Sequence, residues 1–529
     1  RKCQFADGAE PSGNALHCEN LLRLYQLTSE ETYLSQAEDI LKAAERYDLT
    51  TIEGQQQLYR DLANSSWEKW LDKVRMNSML SSPSTHFINL TSNLEGIGLM
   101  RPLVKAVAGG IDAAKSAVTG AARTQFAGEV APYLKGLVDP KAWKEGASRA
   151  ADALKGIQSF ENVDLRSFDL SNKAAKFSTD PKGYLLGRAE AFLDFIPRLT
   201  SAVDALTATV GKNAEEAALK FRASKGVQLA EDTGGNINKL ISKMADDAMD
   251  IEVFRGKLLD ETEGAASKLI GNMTSWAQKG TYIQSTPLRL TAKFMLPFLR
   301  TAGNIMKTGT QYTPFGLFDL IGSKNKTEVA AKLAIGGSVM AATFSAVEGG
   351  KITAGYPVSE SERDVWEKNG ITPYSVYIGG KWVSYEKLHP AITFPMAMAA
   401  TISQANKESK YSDKSMAAIG GSMAASIIKF VGSQGYARSL GSLVGALNGD
   451  EQEAYKILGS IPSQLVPGRA FLSWIDRLTS PVVAKTKDGA TQIEKMTQQM
   501  LNQMPDWIAE PADFKVDKEG NALPNPGEM

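Results

Sequence analysis

Three histidines, His17, His86 and His389, and two cysteines, Cys3 and Cys18, are the side chains of this 529-residue chain best suited to metal binding or nucleophilic chemistry. Cys3, His17 and Cys18 lie together near the N-terminus, where a metal pair is conceivable. A zinc site needs close cysteine pairs and four ligands; this stretch offers neither, so the thiols read as free. Two cysteines also exclude a disulfide-stapled secreted fold. His86, in "SSPSTHFINLTSN", and His389, before Pro390, are far apart in sequence and lack the His-Glu-x-x-His spacing of a zinc helix. Neither a G-x-x-x-x-G-K-S/T phosphate loop nor a G-x-S-x-G nucleophile elbow occurs. No carboxylate stands in an aromatic-rich loop of the kind that shapes a glycosidase cleft. The expectation is a chain without intrinsic catalysis, cofactor or metal.

Charge narrows the remaining classes. The chain carries 59 basic and 59 acidic side chains, so its surface as a whole does not attract phosphates, although a local basic face remains possible. Its length suffices for roughly two to four hydrophobic cores. The first residues, "RKCQFADGAEPSGNALHC", are polar and do not form a signal peptide; beginning at Arg1, the chain reads as a piece of a longer polypeptide. No stretch reaches about 18–20 uninterrupted apolar residues, so no ordinary transmembrane helix is expected.

The elements that would position any site are nearly all helical. "TSEETYLSQAEDILKAAERY" opens with Thr28 and Glu31 in capping-box spacing and carries Leu34, Ala37, Leu41, Ala44 and Tyr47 on one face. "GNINKLISKMADDAMDIEVF" does the same with Ile237, Leu240, Ile241, Met244, Ala248 and Ile251. Residues 101–149 are rich in Ala and Gly, which permits close helix approach but weakens each helix alone, so this stretch should need partners to order. Residues 155–182 read as loop or linker, and Pro197 should kink or divide the helix that follows. One β signal stands out in "GITPYSVYIGGKWVSYEKLHP": alternating Tyr374, Val376 and Ile378, a Gly379-Gly380 turn, then Trp382, Val383 and Tyr385. It predicts a hairpin with a primed turn, lying on helices with Trp382 as its anchor. The chain thus reads as mainly α, an extended array of kinked helices with one small β-hairpin near 374–385. Its expected segments are 1–80, 81–180, 181–350, a hairpin-containing insert at 351–390, a Gly/Ala/Ser/Met-rich part at 391–480, and a helix and extended tail at 481–529.

Between Leu333 and Gly449 several uncharged stretches recur, each too short, too polar or too broken by proline to span a bilayer alone. Two packings fit them: a soluble core with small-residue interfaces, or helices that insert as an oligomer, with Gly337/Ala341 and Gly421/Ala425 as small-xxx-small faces.

Four blocks in order, from Arg75 to Pro481, resemble signatures of very large phage polyvalent and internal virion proteins and their associated domains. The first, "VRMNSMLSSPSTHFINLTSN", carries Arg75, Asn77, Ser82, Pro83, Thr85, His86, Asn89 and Asn93. The second, "LPFLRTAGNIMKTGTQYTPFGL", carries Pro297, Phe298, Arg300, Thr301, Asn304, Lys307, Gly309, Thr313 and Pro314, with Ala302 where the pattern usually has proline. The third is the hairpin with Gly379, Gly380 and Trp382; the fourth is "GSIPSQLVPGRAFLSWIDRLTSP", with Pro462 and Pro467.

The resemblance implies a virion role: a protein packaged in the capsid, ejected with the genome, and lodged afterwards in the host envelope. Implied partners are copies of itself, other ejection proteins and the portal, the passing double-stranded DNA and a host membrane. The helical part would be an oligomeric conduit, with any enzyme domain elsewhere in a longer chain. A capsid-internal core or portal-docking platform that never enters a membrane is the alternative. Along a DNA path Lys105, Lys115, Arg123 and Lys135 would face phosphates. The Pro297 break would bend an apolar surface, leaving Arg300 and Asn304 on one face to tie backbone carbonyls or a carboxylate.

Overall fold

Two compact units divide the chain, Arg1–Arg75 and Met76–Met529. The computed structural model describes residues 74–155, 181–227, 229, 237–260, 262–280, 299–357, 359–408, 430, 469–479, 484–485 and 513–514. The cysteines with His17, the helix expected at 28–47, most of the 155–182 linker, Pro297 and Phe298, Gly421/Ala425, and Pro462 and Pro467 lie outside these residues. Arg75, last residue of the first unit, is helical; the second unit is described below.

Helix α1 (Pro83–Glu95) begins with proline in its first turn, where the missing N–H is no loss. It runs through a π-turn, Gly96–Met100, into α2 (Arg101–Thr119). The π-turn falls just before Pro102, which has no N–H to continue the ordinary ladder. Gly120, left-handed at φ 69°, stops α2. A short 3-10 turn at Ala127–Glu129 leads into α3 (Val130–Leu137), and Asp139 caps α4 (Pro140–Leu154) by accepting from the Lys141 N–H at 3.0 Å. Both helices pack along α5 (Pro181–Ser224), where Gly136 meets the Ala214 backbone and Gly146 meets Leu206. The 101–149 stretch therefore finds its order against a partner helix, as its weak propensity requires. Pro197 lies inside α5 and does not divide it.

In α6 (Ile237–Glu252) the buried line is Ile241, Ala245 and Met249, whereas Ile237 and Ile251 are exposed. The expected stripe is thus rotated, since one helix face meets its neighbour over only two turns. There follow α7 (Ala265–Gly280), α8 (Leu299–Gln311), a 3-10 turn (Pro314–Leu320), α9 (Lys326–Glu348) and α10 (Glu360–Lys368).

The hairpin forms as expected: β1 (Ser375–Ile378) pairs antiparallel with β2 (Lys381–Ser384), closed by Gly379 and Gly380 at φ 58° and 86°. Trp382, however, is not the anchor. It is half-buried and leans on its cross-strand neighbour Tyr377, with ring centroids 5.2 Å apart. Its strand position points away from the helices, whereas Tyr374 and Tyr385, just beyond the strand ends, are buried and meet edge to face at 6.2 Å. Residues 351–354 add a third extended segment, with Thr353 N–H bonded to Ser375 O and Tyr377 N–H to Lys351 O. That segment, which the sequence did not disclose, removes one open edge of an otherwise marginal pair.

Helix α11 (Pro390–Glu408) runs through both prolines that read as breaks. Pro390 occupies the first turn, and Pro395 forfeits one interior bond on a helix buried almost all round from Ala391 to Ala400. Phe394, Met396 and Ala397 join Tyr374, Tyr385 and Phe430 in the main core. Two glycines set close approaches: a Cβ at Gly309 on α8 would fall within the Phe394 ring of α11, and one at Gly336 on α9 would fall on the carbonyl of Tyr312, just past the end of α8. Among the described residues α9 is long and apolar enough by composition to cross a membrane, at mean hydropathy 1.4 over its richest window, one third of which is buried. Its 23 residues outrun the 15-residue uncharged run because Lys326, Lys332 and Glu328 start the same helix. Helix α12 (Arg469–Thr479) and a two-residue ladder of β3 (Ala484–Lys485) with β4 (Asp513–Phe514) complete the description. The described chain is mainly α with one small hairpin.

Candidate functional site

Several residues of the four blocks are buried, whereas Pro83, Gly379 and Gly380 are exposed. On α1, His86 and Asn93 are buried and Asn89 half-buried, spaced for one helix face. The Asn93 amide donates to Asp204 Oδ1 at 3.1 Å and Thr207 Oγ1 at 3.2 Å, fastening α1 to α5. Burial pushes the His86 imidazole pKa down, only partly opposed by the Leu80 backbone. Asn77, Ser81 and Ser82 are buried ahead of Pro83, Thr85 is half-buried, and the Ser81 hydroxyl accepts from the Phe471 N–H of α12 at 3.0 Å.

On α8, Arg300, Asn304 and Lys307 recur at one-turn intervals and grip the turn that follows α6. Arg300 Nη2 donates to Arg255 O at 3.0 Å, and the Asn304 amide to Phe254 O at 3.0 Å and Gly256 O at 2.8 Å. Lys307 Nζ donates to Lys257 O at 2.9 Å and Leu258 O at 3.3 Å, and pairs with Glu263 at 2.6 Å. Arg300 and Asn304 do tie carbonyls from one face, but those of residues 254–256, a turn about 45–50 residues upstream by the same contacts. Thr313 bonds back to Thr310 O, and Pro314 starts the 3-10 turn.

A buried ionic cluster joins α2, the 127–129 turn, α5, α6 and α9. Arg101 pairs with Glu215 at 3.2 Å, Glu328 at 3.3 Å and Glu252 at 3.8 Å. Lys105 pairs with Glu215 at 2.8 Å and Glu129 at 3.7 Å, Arg222 with Glu129 at 2.7 Å, and Lys332 with Glu328 at 3.1 Å. Four cations thus face four carboxylates, and Arg101, Lys105, Glu215, Arg222 and Glu328 line, with Gln125, a cavity of about 130 Å³. Burial alone would raise the Glu215 carboxyl, but Arg101 and Lys105 hold it down at about 2. Glu328 is likewise held well below its ordinary range by Lys332 and Arg101 against burial. Burial dominates at Glu252, pushing it up, and at Lys105, pushing it down.

His389 adjoins this cluster. Its Nδ1 accepts from the Ala391 N–H at 3.2 Å, its backbone N–H donates to Glu95 Oε2 at 2.6 Å, and its Nε2 lies 3.9 Å from Glu252 Oε2, too far for a hydrogen bond. Burial, with Lys332 nearby, lowers the imidazole to about 3. Lys105 therefore does not face phosphates: it is buried among carboxylates. Arg123 is committed as well, to the carbonyls of Gly109 and Gln125 and to the Phe126 ring, whereas Lys115 and Lys135 are exposed.

The cluster left no mark in the sequence, because Arg101 stands 114 residues from Glu215 and 227 from Glu328. Among the described residues no group of three His, Cys, Asp or Glu side chains is placed to hold a metal. The arrangement can neutralise charge and hold helices in register. No family model, curated protein or solved structure matches this chain.

Proposed function

We propose that the chain is the helical module of a phage internal virion protein, packaged in the capsid and released with the genome, which works by packing and rearrangement. The observation that carries this reading is the placement of the signature residues. Asn93, Arg300, Asn304, Lys307 and Gly309 all serve buried joints between helices, as expected of a signature that encodes architecture. In the extruded state the helices would re-pair with other copies to form a conduit for duplex DNA across the host envelope. The open small-residue face of α9, with Ala334, Gly337, Ser338, Ala341 and Ala342, suits such re-pairing.

Flotation of the purified chain with dye-loaded vesicles, at neutral pH and after mild acid, tests the reading. Flotation with dye release after mild acid is the expected result. A soluble oligomer that stays at the bottom under both conditions overturns insertion and favours a capsid-internal core or portal-docking platform. The near-complete burial of α11 from Ala391 to Ala400 favours that second reading.

A further inference from the structure

We propose that the corner formed by the Pro314–Leu320 turn and the outer face of α7 docks on an anionic lipid surface. Leu317, Phe318 and Ile321 are 56%, 55% and 64% exposed, and Leu269 and Met273 on α7 are 61% and 63% exposed. Isolated apolar side chains at a surface need no explanation; five on two joined elements do. The joint is rigid. Asp319 points inward, accepting from the Ser267 N–H and hydroxyl at 2.8 Å each, which turns its neighbours outward. The Ala265 N–H, one turn before Leu269, donates to Ile321 O at 3.0 Å, and the Lys324 N–H to Thr262 O at 3.1 Å.

Charge selects the partner. Lys324 and Lys326 are exposed directly after the apolar tip. Among the described residues, Asp319 is engaged with Ser267, Glu263 with Lys307 and Asp260 with Thr262. Two copies docked tip to tip would bring four lysines together, whereas an anionic headgroup layer accepts both the lysines and the wedge. This contact is separate from the small-residue face of α9 and does not require the helices to open.

The test is sedimentation of the whole chain with vesicles of pure phosphatidylcholine and of phosphatidylcholine with phosphatidylglycerol, each loaded with dye. At neutral pH the chain should pellet with the anionic vesicles without releasing dye. The doubly substituted Phe318→Ser/Ile321→Ser chain, and Lys324→Glu/Lys326→Glu separately, should each weaken binding about tenfold or more. All four positions are exposed, so the melting temperature should not move. Absence of pelleting with the anionic vesicles overturns the proposal, as does equal binding by wild type and both variants. Dye release on acidification in the wild type together with equal neutral-pH pelleting by both variants would leave the insertion reading intact while removing this one.

Discussion

The Asn304 side-chain amide donates to the carbonyl of Phe254, a residue in the left-handed region at φ 57°, and so holds a conformation that costs a non-glycine residue about 1–2 kcal/mol. The same amide reaches Gly256 O at 2.8 Å. Replacing Asn304 by Ala would strand two buried carbonyls and should destabilise the protein by about 2–3 kcal/mol in urea unfolding. Asn304→Asp should be worse, since it points an acceptor at two acceptors. If Asp were as stable as Asn, the assigned donor direction would be wrong.

Gly309 makes a second, independent test. Adding one methyl there meets the Phe394 ring, so Gly309→Ala should lose about 1–3 kcal/mol. Trimming Phe394 to Leu in the same chain should recover part of that loss. A double variant whose destabilisation is the plain sum of the two singles would mean the contact does not exist.

Removing Glu215 leaves Arg101 and Lys105 without their shared carboxylate. Glu215→Gln should destabilise by about 3–5 kcal/mol at neutral pH, more than any surface pair. Held at about 2 against an ordinary value of 4.5, Glu215 contributes stability that is present above pH 4.5 and lost as the pH falls toward 2.

His389 acts at milder acidity. Its folded value of about 3 lies below the ordinary 6.5, so the neutral ring is favoured by folding; that contribution is full above pH 6.5 and drains as pH falls toward 3. Glu252, shifted upward, works the other way and offsets part of the loss. Denaturant midpoints measured from pH 7.5 to 4.5 should fall steadily in the wild type and less steeply in His389→Gln. Parallel slopes would remove His389 as the source.

For the hairpin, Tyr385→Ala should cost about 3–5 kcal/mol and Trp382→Ala less than about 1 kcal/mol. Tyr385 is buried and its hydroxyl donates to Thr353 O at 3.0 Å, whereas Trp382 touches chiefly Tyr377. Thermal melts of the two variants decide between them.

What the sequence disclosed follows the range of the interactions. The hairpin was legible because Gly379-Gly380 fixes a turn locally, and the shared face of Arg300 and Asn304 follows from one helical turn. Trp382 misled because aromatic size says nothing about which side of a strand faces the core. Pro395 misled because a helix buried on nearly every side tolerates the loss of one bond. Lys105 misled most: a lysine among alanines and glycines resembles a solvated charge, and its partner Glu215 is 110 residues away. Helix-to-helix charge matching carries no period, so no window along the chain can reveal it.

The π-turn at Gly96–Met100 makes the length of this stretch an electrostatic quantity. The Arg101 N–H bonds to Gly96 O five residues back, which places one extra residue in the winding. Loss of one residue there would return the turn to ordinary winding with Arg101 still bonded to Gly96 O, so Arg101 and Lys105 would keep their phase toward Glu215, whereas one more residue would turn everything downstream by about 100°. Exchange of one side chain for another along the exposed part of that turn leaves the phase untouched. The stretch between Asn93 and Arg101 can therefore lose a residue more readily than it can gain one.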